Sequence, residues 1–381
     1  MSVATSPPID DPALTATAEV AELARALADE PIDRDRLPDE VVRAARRAGL
    51  YRLCLPSELG GSGTPLPLIV AIVERLAFAD GSTGWCTAVA NAGASLLSGV
   101  AEREARIIAA DSENLVIAGG FPPLGQARQH GDDFEVSGRW PFASGCTAAT
   151  WFLGGIQVVS ADGGAPGARV AFFPANQARI IRNWDVLGLR ATGSHDVAAE
   201  RLTVPMHRST TLFGAPRWSA DPLAAIPFFA LGSLLAAVPL GVAARALDEL
   251  RLLSSTRVPS GQRHSLAEDP VFQDHLGTML TRLGAARAYL FERTEFLWQS
   301  AVAGAVPPAV QAEVSMAVGA AVDAALEVVQ FAHRSAGVAA LRNPHILTRC
   351  HNDVVAASRH AAFRPTSRQA GARSFLGLPP E

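Results

Sequence analysis

The chain contains no lysine; all 33 of its basic residues are arginine. This absence excludes a P-loop lysine, a Schiff-base lysine and a Ser-Lys dyad together. Cysteine is scarce as well. Cys54, Cys86, Cys146 and Cys350 are scattered and form no C-x-x-C pair, which argues against a zinc ribbon or a disulfide framework and fits a reducing compartment. A net charge of −4 leaves no basic footprint for nucleic acid. Residues 1–11 hold proline and acids but no basic n-region or apolar h-region, so no secretory signal is read and a cytoplasmic protein is expected. G-x-S-x-G, H-E-x-x-H and EF-hand patterns are missing. The run Leu59-Gly60-Gly61-Ser62-Gly63 lacks the strand–turn–helix context of a dinucleotide fingerprint, so no nicotinamide site is expected.

What is present is a long apolar chain. Its 381 residues, 49% hydrophobic, allow a large core and two or three substructures. Helical spacing dominates from about Ala13 to Ala48, with Pro38-Asp39-Glu40 opening a second helix and Gly49 closing it. Residues 66–79 form another helix, and Asp80 to Thr83 break it and offer an N-cap. Residues 84–101 carry no charge, as in a helix buried between others. From Asn114 the period changes to short β-rich runs: 115–117, 134–137, 151–160, 169–173, 179–181 and 198–204. Helical pattern returns near Asp221, with candidates at 241–255, 270–300, 307–336 and 344–363. The uncharged residues 222–244 suit a bundle core or subunit interface better than a membrane span, because Pro227, Gly232, Pro239 and Gly241 punctuate them. The expected class is α+β: residues 1–113 an N-terminal helical domain, 114–210 a β domain, 211–381 a C-terminal helical bundle.

One stretch stands out. Gly138-Arg139-Trp140-Pro141-Phe142-Ala143-Ser144-Gly145 lies between two β-rich runs, with small residues that let a flat ligand approach the backbone. Its plain reading is a hairpin corner with a buried Trp. Near the other end, Asp353 and His360 are seven apart and share a helix face. They lack further ligands, so no metal site is expected. His360 sits among alanines and reads either as a packing residue or as a side chain facing a ligand space.

Several strings, in order, resemble the acyl-CoA dehydrogenase superfamily. They are Arg47-Ala48-Gly49-Leu50 through Pro56 and Gly60-Gly61, Ala79-Asp80-Gly81-Ser82-Thr83-Gly84-Trp85, the Trp140 stretch, Gly188-Leu189-Arg190-Ala191-Thr192-Gly193-Ser194, and residues 349–360. The closest resemblance is to the oxygenase components of two-component flavin monooxygenases, of the p-hydroxyphenylacetate and naphthocyclinone hydroxylase type. It implies a β-barrel-like middle domain, a C-terminal four-helix bundle and a homotetramer. It also implies reduced flavin (FADH2 or FMNH2) with O2, a flavin C4a-hydroperoxide, a separate flavin reductase and an aromatic or polyketide-like small-molecule substrate. By the same resemblance Trp140, Phe142, Ala143 and Ser144 contact the flavin, with Ser144 near N5. Arg257 and Arg263 reach its phosphate, and His360 lies near the reacting oxygen.

Acyl-CoA dehydrogenases need a glutamate base, which the family supplies from one of two places. Here no acid occurs between Asp353 and Glu381, nor between Asp221 and Asp248. Glu313 and Glu327 lie on later helices. An acyl-CoA dehydrogenase with a displaced base, and a non-catalytic flavin- or acyl-binding member, are the competing readings. Asn352 stands where the monooxygenase motif usually has Arg.

Overall fold

The computed structural model describes residues 12–30, 35–159, 167–213, 218–342, 344–364 and 366–378. Five helices lead: α1 (Pro12–Ala28), α2 (Asp39–Arg47), α3 (Leu66–Ala79), α4 (Gly81–Ser95) and α5 (Glu102–Ile108). Asp80 caps α4 by accepting from Thr83 N and Thr83 Oγ1. Apart from Val89, every residue of α4 is buried, which explains the missing charge.

Seven strands follow: β1 (Ile117–His130), β2 (Asp133–Trp140), β3 (Trp151–Val159), β4 (Gly167–Pro174), β5 (Arg179–Ile181), β6 (Asp196–Pro205) and β7 (Ser209–Thr210). Ser160, expected to end the third run, lies outside the described residues. The sheet order is β5-β6-β2-β1-β3-β4-β7, with β1 and β3 parallel and the other pairs antiparallel. It curls without closing: β4 approaches β6 although three strands separate them in the order.

Two expectations change here. The first run was expected at 115–117, yet β1 extends to His130 through a bulge between Gly120 and Gly125. The Trp140 stretch is not a hairpin corner. β2 pairs with β1 and β6, while β3 pairs with β1 and β4, so residues 141–150 cross over rather than turn back.

Trp140 itself is fully enclosed. Its indole fills a slot walled by Gly125, Gly138 and Gly154, and a Cβ on Gly154 would stand 2.5 Å from the ring. Its Nε1 donates to Gly155 O at 2.8 Å. The expected flavin contact through Trp140 is therefore corrected: this side chain is sheet core with no face left for a ligand. Ala143 is enclosed too and offers no contact surface. A Trp buried this completely contributes about 4–6 kcal/mol of apolar transfer.

The C-terminal body comprises α6 (Pro222–Ala225), α7 (Gly232–Thr256), α8 (Pro270–Val302), α9 (Pro308–Ala336), α10 (Ile346–Ala357) and α11 (Thr366–Phe375). The helix expected at 241–255 begins earlier, at Gly232, and Pro239 sits inside α7. Among the described residues two helical stretches are long and apolar enough to cross a membrane, but in the more apolar one, Phe228–Thr256, 89% of the apolar window is buried inside the protein. α10 ends at Ala357, before His360, so the expected shared helix face of Asp353 and His360 is not formed.

Trp140→Ala should lower stability by about 3–5 kcal/mol, the range for emptying an aromatic core site. A urea titration of the purified protein measures this, and an unchanged midpoint would contradict the core placement.

Candidate flavin and substrate site

The turn after β2 folds tightly, with Phe142 at φ +61° and Gly145 at φ +75°. It is zipped to the segment before β6. Ala143 N donates to His195 O at 3.0 Å, Gly145 N to Thr192 O at 2.8 Å, and Cys146 Sγ to Gly193 O at 3.2 Å. That segment has its own left-handed residues, Leu189 at φ +53° and Gly193 at φ +52°. His195 braces it: Nδ1 accepts from Asn183 N and Trp184 N, both at 3.1 Å. Burial holds its pKa below the ordinary value, with Asp35 pulling the other way.

The zipper sets Ser144 among polar partners. Its Oγ accepts from Trp85 Nε1 of α4 at 3.1 Å and lies 2.7 Å from Ser194 Oγ. The other side of Trp85 meets His360 edge to face, ring centroids 5.5 Å apart. Ser144 and His360, far apart in the chain, are thus brought together through one indole. Phe142, beside them in sequence, is 69% exposed and meets Trp184 edge-on at 6.2 Å.

His360 lies in extended backbone at the start of a 3-10 turn, Ala361–Phe363. Its Nδ1 accepts from Ala362 N at 3.2 Å, which leaves the proton on Nε2. Burial lowers its pKa, and burial is the sole cause. No described residue bonds Nε2. The imidazole is therefore a neutral N–H donor in surroundings without charge. Ala362 lies against Gly232 at the start of α7, next to an aromatic row. In that row Phe121 meets Phe228 at 4.6 Å, Phe228 meets Phe229 at 5.5 Å, and Phe229 stacks on Phe213 at 5.1 Å.

Elsewhere, Arg257 caps α7 and turns its guanidinium over Gly337, where its buried Nη1 has no partner among the described residues. An orphaned guanidinium nitrogen suits a ligand anion. Arg263 is exposed. The structure does not bring either arginine to Ser144 or His360.

Asp353 fastens α10 to this site. Its Oδ1 accepts from Leu189 N at 2.5 Å, and a Cβ on Gly188 would clash with Asn352 O at 2.0 Å. Asn352, where Arg was expected, contacts His351 Nδ1 at 3.2 Å and pairs with no acid. Burial pushes the Asp353 carboxyl up to about 7. The cysteines are not nucleophiles: burial raises Cys54, Cys86 and Cys350, and pushes Cys146 up to about 11. Sequence reasoning gave no role to Trp85, Thr192 or Ser194, although it quoted the strings that hold them, and it missed the aromatic row.

Family models for the acyl-CoA dehydrogenase N-terminal and C-terminal domains match residues 14–107 and 233–365. An indole-3-acetate monooxygenase of Pseudomonas putida is 31% identical over 357 residues, covering 91% of this chain and 90% of its own. The chain belongs to the acyl-CoA dehydrogenase family. An FADH(2)-dependent resorcinol hydroxylase, oxygenase component, of Rhizobium is 26% identical, with 96% of this chain and 94% of its own covered. The crystal structure of 3-HSA hydroxylase from Rhodococcus superposes with a TM-score of 0.90 at 25% identity, covering 98% of each chain. The relatives matched along most of the family member's length are thus named as monooxygenases and hydroxylases.

The raised Asp353 pKa fixes a pH dependence. Below the unfolded carboxyl's ordinary 3.8 both states are protonated and burial carries no charge penalty. Between there and about 7 the folded state holds a proton that the unfolded state has lost, so stability from this group falls as pH rises. Asp353→Asn should abolish that decline. Unfolding midpoints of both proteins from pH 5 to 8 check it, and parallel curves would refute it.

Proposed function

We propose that the protein is the oxygenase component of a two-component flavin-dependent monooxygenase that hydroxylates an aromatic or polyketide-like small molecule. The observation that carries this reading is the Ser144–Trp85–His360 cluster, built without any carboxylate. The acids that could serve an acyl-CoA dehydrogenase are engaged elsewhere: Glu313 pairs with Arg293 and Glu327 with Arg282. Reduced flavin, when bound, supplies the activation of O2 for transfer of one oxygen atom to the substrate.

The chain's own residues would do the rest. Ser144 holds the flavin ring by a hydrogen bond, Phe142 covers it, and the orphaned Nη1 of Arg257 meets its phosphate, in a neighbouring subunit of a homotetramer; Arg263 would assist from the surface. The buried α4 and the core beneath Trp140 exclude water, which keeps hydrogen bonds strong. His360 Nε2–H donates to a substrate oxygen and stays neutral at working pH because burial lowers its pKa. The row Phe121, Phe228, Phe229 and Phe213 offers a flat substrate edge and face contacts. No dinucleotide fingerprint is present, so a separate cytoplasmic reductase would deliver the reduced cofactor.

The test mixes the protein with anaerobically reduced FMN or FAD, admits 18O-labelled O2, and screens phenols and indoles by mass spectrometry. One labelled oxygen in a product is expected. Bleaching of oxidised flavin by an acyl-CoA, with no oxygenated product, would favour the dehydrogenase reading. His360→Ala should lower product per reduced flavin at least about tenfold, with hydrogen peroxide making up the difference and flavin affinity unchanged. An unchanged product yield would remove His360 from the reaction.

A further inference from the structure

Three buried hydroxyls form a row beside the turn. Ser144 Oγ lies 2.7 Å from Ser194 Oγ, Ser194 Oγ lies 2.7 Å from Thr192 Oγ1, and Thr192 Oγ1 lies 2.7 Å from Leu189 O. Taken singly, the first two contacts could run either way. The third cannot, because a carbonyl oxygen has no proton and Thr192 must donate to it. Each hydroxyl has one proton. Thr192 therefore receives from Ser194, and Ser194 receives from Ser144. At the near end Trp85 Nε1, a donor only, points at Ser144 Oγ from 3.1 Å. The proton of Ser144 is committed to Ser194, one lone pair is taken by Trp85, and one lone pair is left.

We propose that this row of hydroxyls makes Ser144 a hydrogen-bond acceptor toward the flavin ring, so that the protein holds reduced flavin and lets oxidised flavin go, with Thr192 as the positioning residue that sets the direction. The inference rests on the reading above that the flavin ring lies against Ser144. Reduced flavin carries N–H at N5, a donor; oxidised flavin carries a bare nitrogen there, an acceptor. An accepting Ser144 completes a hydrogen bond with the first and sets lone pair against lone pair with the second. Turning the row around would strip Leu189 O of the Thr192 hydroxyl, its shortest donor, and set two oxygen lone pairs against each other at 2.7 Å, leaving it Thr192 N at 3.1 Å and Trp184 Nε1 at 3.2 Å. All three hydroxyl residues are buried, so water cannot easily substitute for the lost bond. Such a preference suits a protein that must take its cofactor reduced from solution and free itself of the oxidised form.

The test is a ratio of affinities. Dissociation constants for FMN and FAD, reduced under argon and oxidised in air, are measured by quenching of the protein's tryptophan fluorescence. In the wild-type chain reduced flavin should bind at least about tenfold tighter, the factor for one buried hydrogen bond made against one denied. Thr192→Val keeps the side-chain volume and removes the terminal donor. It should shrink the ratio about five- to tenfold, chiefly by tightening oxidised flavin, and Thr192→Ser should restore it. Thermal midpoints show whether each variant is folded. If Thr192→Val does not fold, Ser194→Ala replaces it, since losing the middle hydroxyl also frees the Ser144 proton. A folded variant with an unchanged ratio overturns the inference. Equal affinity of the wild-type chain for both states overturns it too, while continued hydroxylation would leave the monooxygenase reading standing. A wild-type chain that binds neither flavin state overturns that reading and this inference with it.

Discussion

The site depends on a backbone zipper between two turns about fifty residues apart. Ala143 N–H to His195 O and Gly145 N–H to Thr192 O join the turn after β2 to the segment before β6. Each turn contains a non-glycine residue in the left-handed region, Phe142 on one side and Leu189 on the other. Such conformations cost on the order of 1–3 kcal/mol each and persist only where the surroundings over-determine them. Here the surroundings do so. Phe142 O accepts from Ser144 N, Leu189 O accepts from Thr192 N, Leu189 N donates to Asp353 Oδ1, and the imidazole of His195 takes two further backbone N–H groups. Without the zipper Ser144 would be one more turn serine; with it, its Oγ is held against Trp85 Nε1 and Ser194 Oγ.

The helical body grips that zipper at one point. Asp353 donates no proton to Leu189 N; it accepts from it, and is buried in doing so. Burying a carboxyl is unfavourable unless it is bonded or neutral, and the pKa near 7 says that both devices are used. The location matters more than the energy. Asp353 lies in the last turns of α10, and His360 follows the same helix after a short exit. One rigid element therefore pins the segment that orients Ser144 and also delivers the imidazole. Trp85, on the buried α4, stands between the two and touches both. Three parts of the chain are held to one geometry by contacts none of them could make alone.

Most of the helical organisation was legible because apolar spacing and capping residues are local signals; Asp80 before α4 is one case. What failed failed for reasons of range. The glycines and prolines from Gly119 to Gly125 read as a loop, and only pairing with β3 makes them a bulge within β1. Trp140 was assigned to the flavin by resemblance, which places a stretch at a site without saying which way each of its side chains faces. In a strand one residue of register exchanges core for surface, and register is set by partners distant in sequence. The end of α10 was hidden by alanines, which favour helix on either side of the true terminus. Ser144 and His360 could be named singly; Trp85, the group that joins them, could not be inferred from spacing because its two contacts come from the β domain and the far end of the chain.

The absent carboxylate then gains a structural meaning. In the dehydrogenase reading the base that removes a carbon-bound proton is a carboxylate, and a charge in a dry site needs a partner or a raised pKa. This fold has such a carboxylate in Asp353, but it is spent on backbone and sits behind the segment rather than in front of it. Around His360 nothing charged perturbs the imidazole. The groups that do converge are an indole N–H, a row of hydroxyls and a neutral imidazole N–H. These are hydrogen-bonding groups that hold oxygen or nitrogen without adding charge. A site of that kind orients a cofactor and a substrate oxygen well and abstracts a carbon-bound proton poorly. The scaffold thus differs from the dehydrogenase reading by omission: the turn that carries Ser144 is in place, and no described acid is bonded to the Ser144–Trp85–His360 cluster.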